Sequence, residues 1–411
     1  MKSITAKVDL GIDPIAIGAK GMLWKDSEVT IAGIGEAARF PVVRNNGIVG
    51  ATKAQESLSS ITSVSEGGES DHGLVAFAAF PFDPQAPGEL IVPRILVRRM
   101  SDGELWVTTS SEGALSLTEA VEEVIALSEQ QEAPTPTCAE VESLISPERW
   151  RDELVTEVIG RIRAGDLEKM VLAREVLISM DVEINVPQVI GNLVSTNPNA
   201  MVFSIEGFVG ASPELLVSRT GDLVQAHPLA GTAIRLADEE KDRKSKAYLL
   251  DSVKDHFEHR ITIEWLLNEL LPFCSYVDAD PEPRVISLPN VHHLATNVHG
   301  HLSLPAASVL ELVAALHPTP AVAGKPQAEA IDMIAKIEKT GRGMYAGPVG
   351  WVDANGNGAF AVGIRSAHIV GREARLFAGV GIVADSDPQS ELDETHGKFQ
   401  TMQSAILSTK P

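Results

Sequence analysis

The chain has 411 residues, enough for one large domain or two to three ordinary ones, and with 44% hydrophobic and 22% charged residues it can bury a sizeable core. A formal net charge of -22, from 34 basic against 56 acidic residues, argues against a nucleic-acid or anionic-membrane surface, because both need a basic patch. With no apolar signal core, no run long enough to span a bilayer and only Cys138 and Cys274 as thiols, the expectation is a cytoplasmic protein without a disulfide framework or a thiolate metal site.

Residues 1–127 alternate short apolar runs, such as 73–80 and 88–92, with Gly, Pro, Asp and Ser turns, which predicts β-structure with one helix over 117–127. The stretch 128–137 is the one linker-like segment, readable as a domain boundary or as a surface loop. Ser146 and Pro147 then start a helix in which Trp150, Leu154, Val158 and Ile162 recur every four residues, and Gly165 closes it. Residues 168–178 read as a strand whose alternation puts Lys169, Val171 and Ala173 on one face, so the lysine sits beside the core.

Strands are predicted over 201–205 and 215–219, joined by a turn at 210–213, followed by one long helix from 239 to 271 that Pro272 ends. Further antiparallel strands occupy 347–369 and 375–383, with 353–358 as a hairpin turn. If a helix follows Pro388, Glu391, Glu394, Lys398 and Met402 share one face. Strand clusters interleaved with long helices give an α/β or α+β class with a large, mostly antiparallel sheet.

Several residues could carry chemistry, each beside a plainer role. Paired carboxylates at 391 and 394 suit a hard dication, and Lys398 suits an anion; a solvated charged face is the alternative. Lys169, if desolvated, could accept a proton, or it could snorkel from a strand end. Glu214, between Pro213 and two leucines, could be a general acid of raised pKa or a turn carboxylate. His256 and His259 are three apart, whereas a zinc helix places its histidines four apart, so Glu258 as a magnesium ligand is chemically better. Arg365, inside an apolar run read as a strand, needs a structural carboxylate or an anionic ligand. Gly231, Gly379 and Gly381 could let a ligand approach the backbone, or simply make turns.

The ordered series of segments around Lys169, Glu214, Gly231, Lys254 to Glu258, His293, Leu316 to Ala321, Arg342 to Trp351, Ile364 and Arg365, and Gly379 to Lys398 resembles the chorismate-utilising enzymes over roughly residues 150–405, leaving 1–127 as a divergent part. The resemblance implies one domain over 1–411, an α/β (α+β) fold with an antiparallel β-sandwich-like core flanked by helices, so that 128–137 becomes a surface loop.

The resemblance implies Lys169 as the water-activating base and Glu214 as the general acid. It gives Mg2+ as cofactor, held by Glu258 and Glu394 with Glu391 in the outer shell, and chorismate as substrate. Tyr345, Arg365 and Lys398 match carboxylate-holding side chains, and Gly231, Thr232, Gly379, Gly381 and His293 match pocket positions. Lysine at 169 is similar to members that add water, and Ala230 is unlike the aminodeoxychorismate synthases. The small Ala321 looks like isochorismate synthases, where salicylate synthases carry threonine. The expectation is a monomeric isochorismate synthase, with a salicylate synthase or a silent relative as alternatives.

Overall fold

The run beginning at Glu168 forms the strand Lys169–Met180, and its first eight residues are all buried. A strand covered on both faces has no solvent side, so its alternation separates two packed layers rather than core from water. It pairs antiparallel with Glu373–Ile382, setting Val171 opposite Gly381 and Ala173 opposite Gly379. The computed structural model describes residues 1–44, 47–66, 72–113, 116–128 and 138–408. Most of the segment predicted as linker therefore lies outside the described residues.

Among the described residues the strands form sheets of 13, nine and three. The largest joins both parts of the chain where Met201–Ile205 pairs with Met22–Lys25, and the nine-stranded sheet does so where Pro348–Asp353 pairs with Val75–Ala79. Pairing is antiparallel except between Lys2–Val8 and Thr62–Glu66. Trp24, Ile31 and Phe203 of the large sheet pack with Phe77, Ile91 and Val349 of the nine-stranded one, which gives the sandwich-like core. Helices cover the outer faces. This is a mixed α/β class with large antiparallel sheets. No helix among the described residues is long and apolar enough to cross a membrane.

Four local features differ from the reading of the sequence. Residues 210–212 lie within the strand Phe208–Ser212, and the hairpin turns instead at Glu206 and Gly207, both at positive φ. That two-residue turn favours Asn-Gly, so Glu-Gly carried little signal. The helix predicted over 239–271 is two helices, Glu239–Asp251 and Val253–Leu270, because Ser252 leaves helical geometry and its side chain accepts from the Asp255 N–H. Helices Pro14–Gly18 and Ile48–Ser59 occupy a region predicted to be β. Finally, the Ser146-capped helix passes through a π-helical stretch, Trp150–Val155. Trp150 is fully buried there and donates its indole N–H to the Ala173 carbonyl at 3.2 Å. Its truncation to Ala would cost about 3–5 kcal/mol.

Candidate active site

Lys169 opens its strand with no solvent exposure, and its ammonium lies 3.0 Å from Glu258 Oε1 on the helix Val253–Leu270. The two meet at ion-pair distance without hydrogen-bond alignment. The neighbouring strand can pass so close only because residue 381 is glycine: a Cβ there would stand 2.4 Å from Glu258 Oε1 and 3.0 Å from Lys169 Cε. Burial pushes the Glu258 carboxyl up, but Lys169, then Lys254 and Lys398, outweigh it and hold it below its ordinary value.

Glu214 precedes the strand Leu215–Thr220 and is 3% exposed. Its backbone N–H is held by Ser212 Oγ at 3.2 Å. Burial raises its pKa to about 7, against the lowering effects of the Leu229 backbone, Lys169, Arg365 and Lys398. A carboxyl group poised near neutral pH can hold a proton and give it up, as a general acid must.

Arg365 is not in a strand. It sits at φ 51 between Gly358–Val362 and Ser366–Val370, buried, and forms no ion pair with a described residue. Its Nη2 donates to His293 Nε2 at 2.8 Å. Since a guanidinium only donates, that imidazole nitrogen accepts, and Nδ1 carries the hydrogen toward Thr232 Oγ1 at 3.0 Å and the Gly231 carbonyl at 3.3 Å. Burial, with the charges of Arg365 and Lys398, holds the His293 pKa well below its ordinary value, so the ring is neutral. Gly231, at φ 79, faces Asp255 so closely that a Cβ would lie 3.0 Å from the Asp255 Cβ. Tyr345 stacks on Phe377 at 5.2 Å, and burial raises its phenol pKa.

The helix Pro388–Leu407 presents Glu391, Glu394 and Lys398 on one face, as its spacing predicts. Lys398 donates to the Gly379 carbonyl at 2.9 Å and pairs with Glu394. Glu391, 2% exposed, accepts from Lys254 Nζ at 2.9 Å. Burial and the charge of Glu394 push the Glu391 carboxyl up. Burial opposes the charge on Lys254, yet Glu391, Glu258 and Glu394 together hold its pKa above the ordinary range. Among the described residues no three acid, histidine or cysteine side chains converge as a ready-made metal cage. Lysines interleave the carboxylates instead. Even so, the donor chemistry fits a hard dication: carboxylate oxygens only, with Glu391 raised by burial and then by the charge of Glu394.

These side chains surround a cavity of about 560 Å³ of empty space. Glu214, Gly231, Thr232, Glu258, His293, Ala321, Tyr345, Arg365, Gly379, Gly381, Glu394 and Lys398 line it. Lys169 and Glu391 are not in the lining: Lys169 lies behind Glu258 and Gly381, and Glu391 lies with Lys254. His256 and His259 part company, the first bonding the Leu250 carbonyl and the second Thr296, which leaves no zinc pair.

Two residues with no role assigned from the sequence matter here. One is Lys254. The other is Arg342, which lines the cavity, pairs with Glu338 and donates to the Val322 and Val171 carbonyls at 2.8 and 2.9 Å. The Lys254–Glu391 and Arg342–Val171 contacts span 137 and 171 residues, which spacing along the chain does not encode.

Residues 5–407 match the family described as chorismate binding enzyme. Isochorismate synthase MenF of Bacillus subtilis is 34% identical, over 96% of this chain and 91% of its own. The vibriobactin-specific isochorismate synthase of Vibrio cholerae is 33% identical, over 82% and 80% respectively. The crystal structure of MenF, the menaquinone-specific isochorismate synthase from Escherichia coli, superposes with a TM-score of 0.82 at 25% identity, over 99% of this chain and 94% of that one.

Proposed function

The chain belongs to the chorismate-binding enzymes, and we infer that it is an isochorismate synthase, converting chorismate to isochorismate. Water adds at ring C2, the C4–O bond breaks and the double bonds shift. The observation that carries the residue roles is a cavity-lining carboxyl at 214 that burial holds near pH 7, with an unexposed lysine at 169 directly behind the lining residue Glu258.

In this reading Lys169 takes the proton of the attacking water, and Glu214 gives its proton to the departing C4 hydroxyl. Arg365, with no ion partner among the described residues and its orientation fixed by neutral His293, receives the enolpyruvyl carboxylate with help from Lys398 and Tyr345. Glu258 and Glu394 would hold Mg2+ with Glu391 beside them, and the ion would supply neutralising charge for the ring carboxylate. As a base, Lys169 must be a neutral amine when water attacks, so the charge of Glu258 has to be taken up by something other than the lysine. Ala321 offers the substrate no hydroxyl, which supports release at isochorismate rather than elimination of pyruvate.

The sheets shared across both parts of the chain support reading 1–411 as one domain, and a monomeric cytoplasmic enzyme completes the proposal. Incubating the protein with chorismate, with and without Mg2+, and separating products by chromatography tests it. Isochorismate formed only with metal is expected. Unchanged chorismate under both conditions would refute the activity.

A further inference from the structure

The segment from His317 to Val322 connects the active-site cavity, which Ala321 and Val322 line, to a second cavity lined by His317. This second space has about 400 Å³ of empty volume, against about 560 Å³ for the active-site cavity. Its walls are apolar, from Val42, Phe80 and Pro84 and from Leu310, Val313 and Ala314 of the helix Val309–Leu316. Its one charged lining group is Arg44. His317, the other titratable group there, is held neutral: burial, then the charge of Arg44, pushes its pKa down to about 3.

Arg44 is half-buried at the edge of this apolar space. It forms no ion pair with a described residue, and its Nη1 donates only to the Pro81 and Asp83 carbonyls, at 2.6 and 3.0 Å. The Asp83 carboxylate is turned to the Gln85 N–H at 2.8 Å. The guanidinium carbon stands 5.5 Å from the centre of the Phe80 ring. Nε and Nη2 bond no described residue. A planar cation with two donors that no described residue engages, beside an apolar slot, matches a flat apolar body carrying one carboxylate.

We propose that this cavity is a second binding site, taking a small aromatic carboxylate whose ring lies among Val42, Val313 and Ala314 and whose carboxylate pairs with Arg44. The site communicates with the active-site wall through packed groups. His317 Nε2 donates to the Phe82 carbonyl at 2.9 Å, the Phe82 ring lies 4.3 Å from the Arg342 guanidinium carbon, and Arg342 holds the Val322 carbonyl. A ligand pressing on His317 therefore acts on the wall that carries Ala321, and turnover falls.

The test is calorimetric titration with benzoate on the Arg365→Met variant, where the open cation of the active-site cavity is gone and binding is read without catalysis. One equivalent of benzoate is expected to bind at millimolar concentration or below. Losing a charge-assisted contact is worth about ten- to a hundredfold, so uncharged benzamide should bind more weakly by that factor. Adding Arg44→Met or Ala314→Phe to that variant should weaken benzoate by at least about tenfold while melting temperature and circular dichroism stay unchanged. In the wild-type enzyme, benzoate should lower kcat and not merely raise KM. No binding to Arg365→Met, equal affinity for benzamide, or affinity unaffected by Ala314→Phe would each overturn the proposal.

Discussion

Glu214→Gln removes one ionisable proton from the candidate active site while keeping the side chain's size and its position beside Leu215. Burial raises the Glu214 pKa from 4.5 to about 7, and each pKa unit is worth about 1.36 kcal/mol, so holding this carboxylate ionised costs the folded protein about 3 kcal/mol. The folded form binds the proton more tightly than the unfolded chain does. Stability from this group is therefore greatest below pH 4.5 and is lost as pH rises from 4.5 to about 7, with the full cost present above that. Glutamine cannot ionise, so the variant should match the wild type near pH 4.5 and exceed it by up to about 3 kcal/mol at pH 8. With an unfolding entropy of about 2.1 cal/mol/K per residue, a chain of 411 residues should gain about 3–4 °C in Tm at pH 8. Isochorismate production should fall about a hundred- to ten-thousandfold in the same variant, and wild-type kcat should decline above about pH 7 as the acid loses its proton. Scanning calorimetry at pH 5 and pH 8, with product chromatography, reads both effects. A Tm difference that does not change with pH would refute the raised pKa, and full turnover would remove Glu214 as the acid.

Lys169→Gln should lose turnover by about a hundred- to ten-thousandfold while chorismate affinity, measured calorimetrically, stays within a few-fold; near-normal turnover would disqualify the base. Glu394→Gln should raise the Mg2+ concentration needed for half-maximal activity and weaken calorimetric Mg2+ binding, because an amide offers an oxygen without the charge. Metal binding equal to wild type would take Glu394 out of the ligand set. Ala321→Thr should release more pyruvate from chorismate, followed with lactate dehydrogenase, whereas stoichiometric pyruvate from the wild type would mean that the protein completes the elimination itself.

Legibility followed the range of the forces involved. The helix Pro388–Leu407 and the strand Lys169–Met180 are set by local periodicity, and both stand where the sequence placed them. The break at Ser252 was also local, a serine cap three residues before Asp255, but the helix-forming residues on either side masked it. It matters because the second helix begins there, and its first turns carry Lys254 and Glu258. Arg365 was harder still. A left-handed conformation at a non-glycine residue is rare and costs free energy, so sequence favours a strand at that position. The Arg365 backbone carbonyl accepts from the Ala211 N–H and its guanidinium donates to His293, both far away in the chain. The pairing of Glu391 with Lys254 spans 137 residues and likewise has no local signature.

A protein of net charge -22 binds a dianion only if its cavity reverses that sign locally, and the ion pairs indicate how it can. Lys169 is engaged by Glu258, Lys254 by Glu391, Lys398 by Glu394 and Arg342 by Glu338. In each pair the carboxylate largely offsets the cation, so the pairs fix geometry and add only a weak pull on an anion. Glu214, held near pH 7 by burial, carries about half a negative charge at neutral pH instead of a full one. Among the described residues lining the cavity, Arg365 is the cation left over, desolvated, without an ion partner and aimed by a neutral imidazole. One cation answers one carboxylate of a dicarboxylate substrate, and the second requires charge that the paired lysines cannot give. The carboxylates at 258 and 394 are where a divalent ion would supply that charge in the proposed reading.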